Sequence, residues 1–265
     1  MRKRDLAFIS ILMYLSSAVL LSAYAYFQIS EDIIMTPLGR VFLLVISCIF
    51  MYIGAIILSK VIDKHKKIPF VINLGICFIL YLLLLSTLTL FDDYFRGGSI
   101  RLVSWNREMV HNYLNNSFNI VPFKTISMYI TRFIQGKCST RVFMYNIVGN
   151  IVALMPFAFF LPLIFKRQNK FKNFLITMII AVLLIEGIQF LTLSGSCDID
   201  DLILNVGGAC LLYLILSIKS IKSLIRNIFL LEDNEINYVN LVLNIILISI
   251  IFVILGILIN NLINI

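Results

Sequence analysis

The stretch FKNFLITMIIAVLLIEGIQFLTL, residues 171–193, decides how the chain folds. It is long enough to cross a bilayer as a helix, and its only acidic residue is Glu186. Its apolar residues run on without alternating, which excludes a strand of a membrane barrel. Similar runs lie at 6–27, 41–62, 69–91, 142–165, 199–218 and 239–262. The chain is 60% hydrophobic and 14% charged, with a mean hydropathy of +0.99, and no single soluble core would hide that much apolar surface. The expected fold is all-α, a polytopic integral membrane helix bundle of about seven transmembrane helices.

The net charge of +8 follows topology rather than a nucleic-acid surface. Basic clusters stand at Arg2, Lys3 and Arg4; at Lys60, Lys64, Lys66 and Lys67; at Lys166, Arg167, Lys170 and Lys172; and at Lys219, Lys222 and Arg226. All four fall on one side if the N-terminus is cytoplasmic, which places the C-terminus extracytoplasmic. Segments 28–39 and 194–198 then face out and carry no Lys or Arg. The long loop 92–141 is also outside; its basic residues are tolerated because long loops escape the charge bias. The first run has two readings, a retained span or a signal peptide ending near Ala23-Tyr24-Ala25.

Trp105, Tyr113, Phe118, Phe123 and Tyr129 are spaced through the long loop, as expected of short amphipathic pieces against lipid headgroups. Cys48, Cys77 and Cys210 fall within spans. Cys138 and Cys197 both fall outside, where either a disulfide or two free thiols is compatible with the compartment.

The polar residues of three spans converge. Asn146 and Asn150 share a face of the 142–165 helix, with Asn150 about 12 Å from its outer end. Glu186 is about 10 Å from the outer end of its helix, with Gln189 about 60° around. Asp198, Asp200 and Asp201 stand at the mouth of the 199–218 helix, and Asn205 is about 9 Å down. Asp198, Asp201 and Asn205 form one stripe, and Asp200 points roughly 100° away. A carboxylate in lipid needs a partner, a proton or water, so these residues predict a polar pocket between the three helices, open to the outside. Gly149, Gly207 and Gly208 would let the helices approach, and Pro156 would kink the first of them. The competing account is interhelical glue from the amides and helix caps from Asp198 and Asp200. No cofactor is expected; a divalent cation held by Asp198, Asp201 and Glu186 is the alternative the acids leave open, although the spacing is not that of an EF-hand. His65 and His111 lie in loops, so no Ser–His–Asp arrangement is expected.

Four elements carry a family resemblance. Asn119-Ile-Val-Pro122-Phe123-Lys-Thr-Ile126 resembles the N-x-x-P-F-x-x-I element of the VanZ-like family. Asn146-Ile-Val-Gly149-Asn150, running on to Pro156, resembles its N-x-x-G-N-x-x-x-x-x-P helix. Glu186-Gly-Ile-Gln189 resembles its E-x-x-Q pair, and Asp198-Ile-Asp200-Asp201, running through Asn205 to Gly208, resembles its D-x-D-D-x-x-x-N-x-x-G signature. Ala158 and Leu212 stand where the family usually has glycine. The resemblance implies a multi-pass protein of a bacterial cell membrane, and its founding member is associated with resistance to the lipoglycopeptide teicoplanin.

The expected organisation is two N-terminal transmembrane helices in 1–70, a VanZ-like domain in 71–217, and a cytoplasmic linker with a last helix in 218–265. The site is expected to comprise Asn119, Pro122, Phe123, Asn146, Asn150, Glu186, Gln189, Asp198, Asp200, Asp201 and Asn205. Three functions fit it. The pocket binds an outer-leaflet envelope component or the lipoglycopeptide itself and limits drug access. Alternatively, Glu186 or Asp201 serves as general base or metal ligand in an enzyme acting on a lipid-linked envelope precursor. Third, the chain is a structural partner of another membrane protein. The lipid bilayer is the expected surrounding, and nucleic acid is not an expected partner. The richness in Ile, Asn and Lys suits a Gram-positive source.

Overall fold

The computed structural model describes residues 2–29, 37–62, 67–89, 106–192, 196–231 and 239–250. They are mostly helical. The first helices are α1 (Lys3–Ile29), α2 (Pro37–Val61) and α3 (Ile68–Thr89). The loop segment that follows folds as α4 (Arg107–Asn116), β1 (Phe118–Asn119) and α5 (Lys124–Ile134). Then come α6 (Thr140–Ile164), α7 (Phe171–Thr192), β2 (Cys197–Asp198), α8 (Ile199–Leu216), α9 (Lys219–Ile228) and α10 (Val239–Ile250).

Among the described residues five helices are long and apolar enough to cross a membrane: Lys3–Phe27, Phe42–Val61, Thr140–Ile164, Phe171–Leu191 and Ile199–Leu216. The other two expected spans coincide with shorter apolar helices, Ile68–Leu83 and Val239–Ile250. The C-terminal stretch 251–265, the loop residues 90–105 with Trp105, and His65 lie outside the described residues.

The chain forms two compact units, Met1–Leu84 with Lys222–Ile265, and Leu85–Ile221. In the first, α1, α2 and α3 are joined by polar side chains in an otherwise apolar interior. Ser17 Oγ and Ser47 Oγ are 2.8 Å apart, and Ser10 Oγ donates to the Gly54 carbonyl at 2.9 Å. Tyr14 donates its hydroxyl to Asn73 Oδ1 at 2.9 Å, and Asn73 Nδ2 donates to the Met51 carbonyl at 3.2 Å. Such bonds between membrane helices contribute about 0.6–2 kcal/mol each.

In the second unit, α6 is not a uniform helix. Residues Met144–Gly149 form a π turn, and the helix breaks at Leu154 (φ −103°, ψ 3°) before restarting at Met155. Pro156 accounts for the break: it has no N–H to donate and its ring crowds the carbonyl four residues back. Gly208 of α8 lies against the far side of this irregular stretch. A Cβ there would sit 1.9 Å from the carbonyl oxygen of Ile151, so only glycine permits the contact. The other two glycines expected to act this way do not. A Cβ at Gly149 would be 3.7 Å from its nearest neighbour, the Met144 carbonyl oxygen, and one at Gly207 would meet nothing within 4 Å. They stand on faces turned from the interhelical contact. Where α7 begins, Phe174 stacks on Tyr213 of α8 with ring centroids 4.4 Å apart.

Candidate functional site

The site is organised by the chain's return after α7. Cys197 and Asp198 run parallel to Phe118 and Asn119, pairing Phe118 with Cys197 and Asn119 with Asp198. The Cys197 N–H donates to the Ser117 carbonyl at 2.9 Å. Aromatic contacts fasten the same place: Tyr113 and Phe118 lie against Phe190 of α7, with ring centroids 5.9 and 6.2 Å away. This two-residue pairing was not anticipated. It carries no periodic pattern, so nothing in the sequence marks it.

The pairing delivers Asn119 to the acids. Asn119 Nδ2 donates to Asp198 Oδ1 at 2.8 Å. Asp198 also caps its own helix, accepting from the Asp200 N–H at 2.9 Å. The Asp198 N–H in turn donates to Glu186 Oε2 at 3.1 Å. Both carboxylates are buried. The strand thus comes down to Glu186, which is how the α7 carboxylate is satisfied at its depth.

Asp200 is fully buried and faces another way, into the start of α5. Its Oδ1 accepts from the Phe123 N–H at 2.5 Å, and its Oδ2 from the Thr125 and Ile126 N–H groups at 2.7 and 3.0 Å. No side chain of α5 caps that helix; Asp200, 77 residues away from Phe123 in sequence, does so instead. Phe123 adopts a left-handed conformation (φ 64°) to present its N–H, while its side chain and Pro122 stay exposed.

Asp201, the third acid, accepts from Asn150 Nδ2 of α6. Asn150 also donates to the Asn146 carbonyl at 3.2 Å. Three neighbouring acids therefore coexist because each takes a different donor set. Two of the expected residues turn inward on their own helices: Asn146 Nδ2 donates to the Val142 carbonyl and Asn205 Nδ2 to the Asp201 carbonyl, both at 2.8 Å. Gln189 is half-buried three residues beyond Glu186 on α7. Among the described residues no three His, Cys, Asp or Glu side chains group as they would around one metal ion.

Two residues belong to the site that the sequence did not single out for it. The Tyr129 phenol, on the half-buried face of α5 with Thr125 and Ile126, feels the charges of Asp201, Asp198 and Arg132. Burial first, then Cys138 and Asp201, push its pKa up. The spacing of Thr125 and Tyr129 at i, i+4 was the available signal. The Cys197 thiol lies beside Glu186, and burial, with the Glu186 charge second, pushes it up to about 11. Burial also raises Tyr113, to about 12. Neither Cys138 nor Cys197 is bridged.

The sequence profile of the VanZ/LLP1 family matches residues 78–222. The chain belongs to that family. The matched stretch contains α4 to α8, and so every bond of the polar cluster described above. No curated protein and no solved structure is significantly similar to the chain. The apolar helices together with the family make it a membrane protein.

Proposed function

We propose that this chain uses its polar cluster, on the outer side of a bacterial cell membrane, to bind an envelope component of the outer leaflet or a lipoglycopeptide. By occupying that ligand it would limit access of a drug such as teicoplanin to its cell-wall target, as the family resemblance suggests. The observation that carries the proposal is the link between Asn150 of α6 and Asp201 of α8, beside Glu186 of α7: three apolar helices each bring a polar side chain to one place under the clamped α5. Helix capping accounts for Asp198 and Asp200 but not for the Asn150–Asp201 bond, which joins α6 to α8 and is the contact that the Asp201→Asn variant tests.

Binding fits better than catalysis. The thiol nearest the carboxylates, Cys197, has its pKa raised to about 11, so little thiolate is present at neutral pH. His111 is exposed and bonded to Asn115 at 3.1 Å, remote in role from the acids.

The test is teicoplanin and vancomycin susceptibility in a sensitive Gram-positive host expressing wild type, Glu186→Gln or Asp201→Asn at matched membrane levels. The proposal expects selective protection against teicoplanin by wild type and its loss in both variants, with no change in envelope lipid masses. Equal protection by the variants would remove the pocket from the function. A changed lipid or precursor mass would select the enzymatic alternative.

A further inference from the structure

The acids of the polar cluster are not equally served by donors. Asp200 takes three backbone N–H groups, and Asp198 takes Asn119 Nδ2 and the Asp200 N–H. Glu186 accepts a single bond, at Oε2 from the Asp198 N–H, and the Asp201 side chain a single bond, at Oδ1 from Asn150. Glu186 Oε1 and Asp201 Oδ2 accept from no described residue. The charges of Glu186, Asp198 and Asp200 all act on the Asp201 carboxyl. Arg132 acts on the Tyr129 phenol, yet no described Lys or Arg forms an ion pair with any of the four acids. Neighbouring carboxyl groups at the edge of a bilayer need a counter-charge, either a proton or a cation.

A second, independent observation comes from α4. Tyr113 is only 6% exposed, its ring is packed on Phe190 of α7, and its hydroxyl makes no hydrogen bond. That hydroxyl lies within reach of the Glu186 charge and beside the backbone of Cys197, whose N–H is already given to Ser117. A buried hydroxyl is rarely left without a partner. Tyr113 and Asp201 thus flank Glu186, and all three have oxygen lone pairs to spare.

We infer that the cluster binds a primary ammonium group, carried by the headgroup of an outer-leaflet lipid, through Glu186, Asp201 and Tyr113. The inference rests on the binding reading above and names the chemistry of the ligand's head. An ammonium brings three N–H donors and no acceptor, which matches three oxygens with spare lone pairs, and its charge is the counter-charge the acids need. A sugar hydroxyl brings a donor but no charge. A metal ion fits less well, because among the described residues no three acidic, His or Cys side chains gather around one point. Lipid is the source because Asp200 and Asp201 stand in the first turn of a membrane-spanning helix, at the level of the headgroups.

The experiment uses the full chain in nanodiscs of phosphatidylglycerol with equal parts of phosphatidylethanolamine and phosphatidylcholine, and native mass spectrometry of the lipid that stays bound. Both test headgroups carry a positive nitrogen, but only that of phosphatidylethanolamine has N–H donors. Phosphatidylethanolamine is expected to be retained about tenfold over phosphatidylcholine, as one charge-assisted hydrogen bond would give. Glu186→Gln combined with Asp201→Asn should bring the ratio close to one. Tyr113→Phe should lower it severalfold with no fall in the thermal midpoint, because the hydroxyl bonds to nothing in the protein. That variant keeps the test decisive where the double variant misfolds. Equal retention by wild type, or a ratio that survives either set of substitutions, would overturn the inference. Displacement of the bound lipid by excess free ethanolamine would assign the site to a soluble amine and overturn the lipid source. A ratio of one in a chain whose teicoplanin protection still depends on Glu186 and Asp201 would refute this inference and leave the binding reading standing.

Discussion

Replacing Asp200 by Asn tests whether α5 is held in place from α8. The buried carboxylate takes three backbone N–H groups, from Phe123, Thr125 and Ile126, at 2.5, 2.7 and 3.0 Å. Asparagine keeps the shape and one acceptor oxygen. If that oxygen serves Thr125 and Ile126, the new NH2 faces the Phe123 N–H, donor against donor. A charge-assisted bond contributes about 1.5–3 kcal/mol, and a buried donor left without an acceptor costs about 1–3 kcal/mol. The better of the two orientations therefore weakens the clamp by about 2–4 kcal/mol, or roughly 30- to 1000-fold in the opening equilibrium. Hydrogen exchange with mass spectrometry on the purified protein reads this directly, because local opening governs exchange. Residues 120–134 should lose protection by that factor, while α7 and α8 keep theirs. Unchanged protection in 120–134 would refute the role of Asp200. A uniform loss across α6, α7 and α8 would mean that the residue supports the whole unit and not this clamp alone.

Gly208→Ala forces a Cβ into the Ile151 carbonyl at 1.9 Å, so α6 and α8 must part; a loss of about 1–3 kcal/mol or more is expected, seen as a lower thermal aggregation midpoint, while Gly207→Ala should be tolerated. Asn150→Leu removes the side-chain donor to Asp201 and should cost about 1.5–3 kcal/mol, read as the same midpoint; the double variant with Asp201→Asn should recover part of it. Cys197 titrates near 11 because the fold disfavours its thiolate, so its alkylation in a Cys138→Ser background should rise about tenfold per pH unit from pH 8 to 10. A free thiol would level off near pH 9, and Glu186→Gln should speed the reaction.

The helices that carry the site were legible because a spanning helix must be a long apolar run, and α6, α7 and α8 are such runs. The divergence of Asp200 from the stripe of Asp198 and Asp201 was legible too, since it follows from the helical step. What Asp200 points at was not. Its partners are backbone N–H groups, and every residue type except proline supplies one. The same limit hid the pairing of Asn119 with Asp198, which rests on two residues per strand. The π turn in α6 left no mark either, whereas the break before Pro156 did, because proline's missing N–H is written in the sequence. Tyr129 read as one more headgroup aromatic; only the rotation of α5 fixed by Asp200 turns it toward the acids.

The separation of the clamp's halves sets an order of assembly. Asn119 is made 79 residues before Asp198, and Phe123 77 before Asp200. At about 5–20 residues per second, the ribosome takes roughly 4–16 s to supply the missing half. During that interval α6 and α7 insert while α5, with Ile130 and Ile134 exposed, has no acceptor for its first N–H groups. The membrane surface is the nearest refuge for such a segment. The site is therefore closed late, by the arrival of residues 197–201, and a chain halted after α7 would carry most of the family's sequence elements without having built the place where they meet.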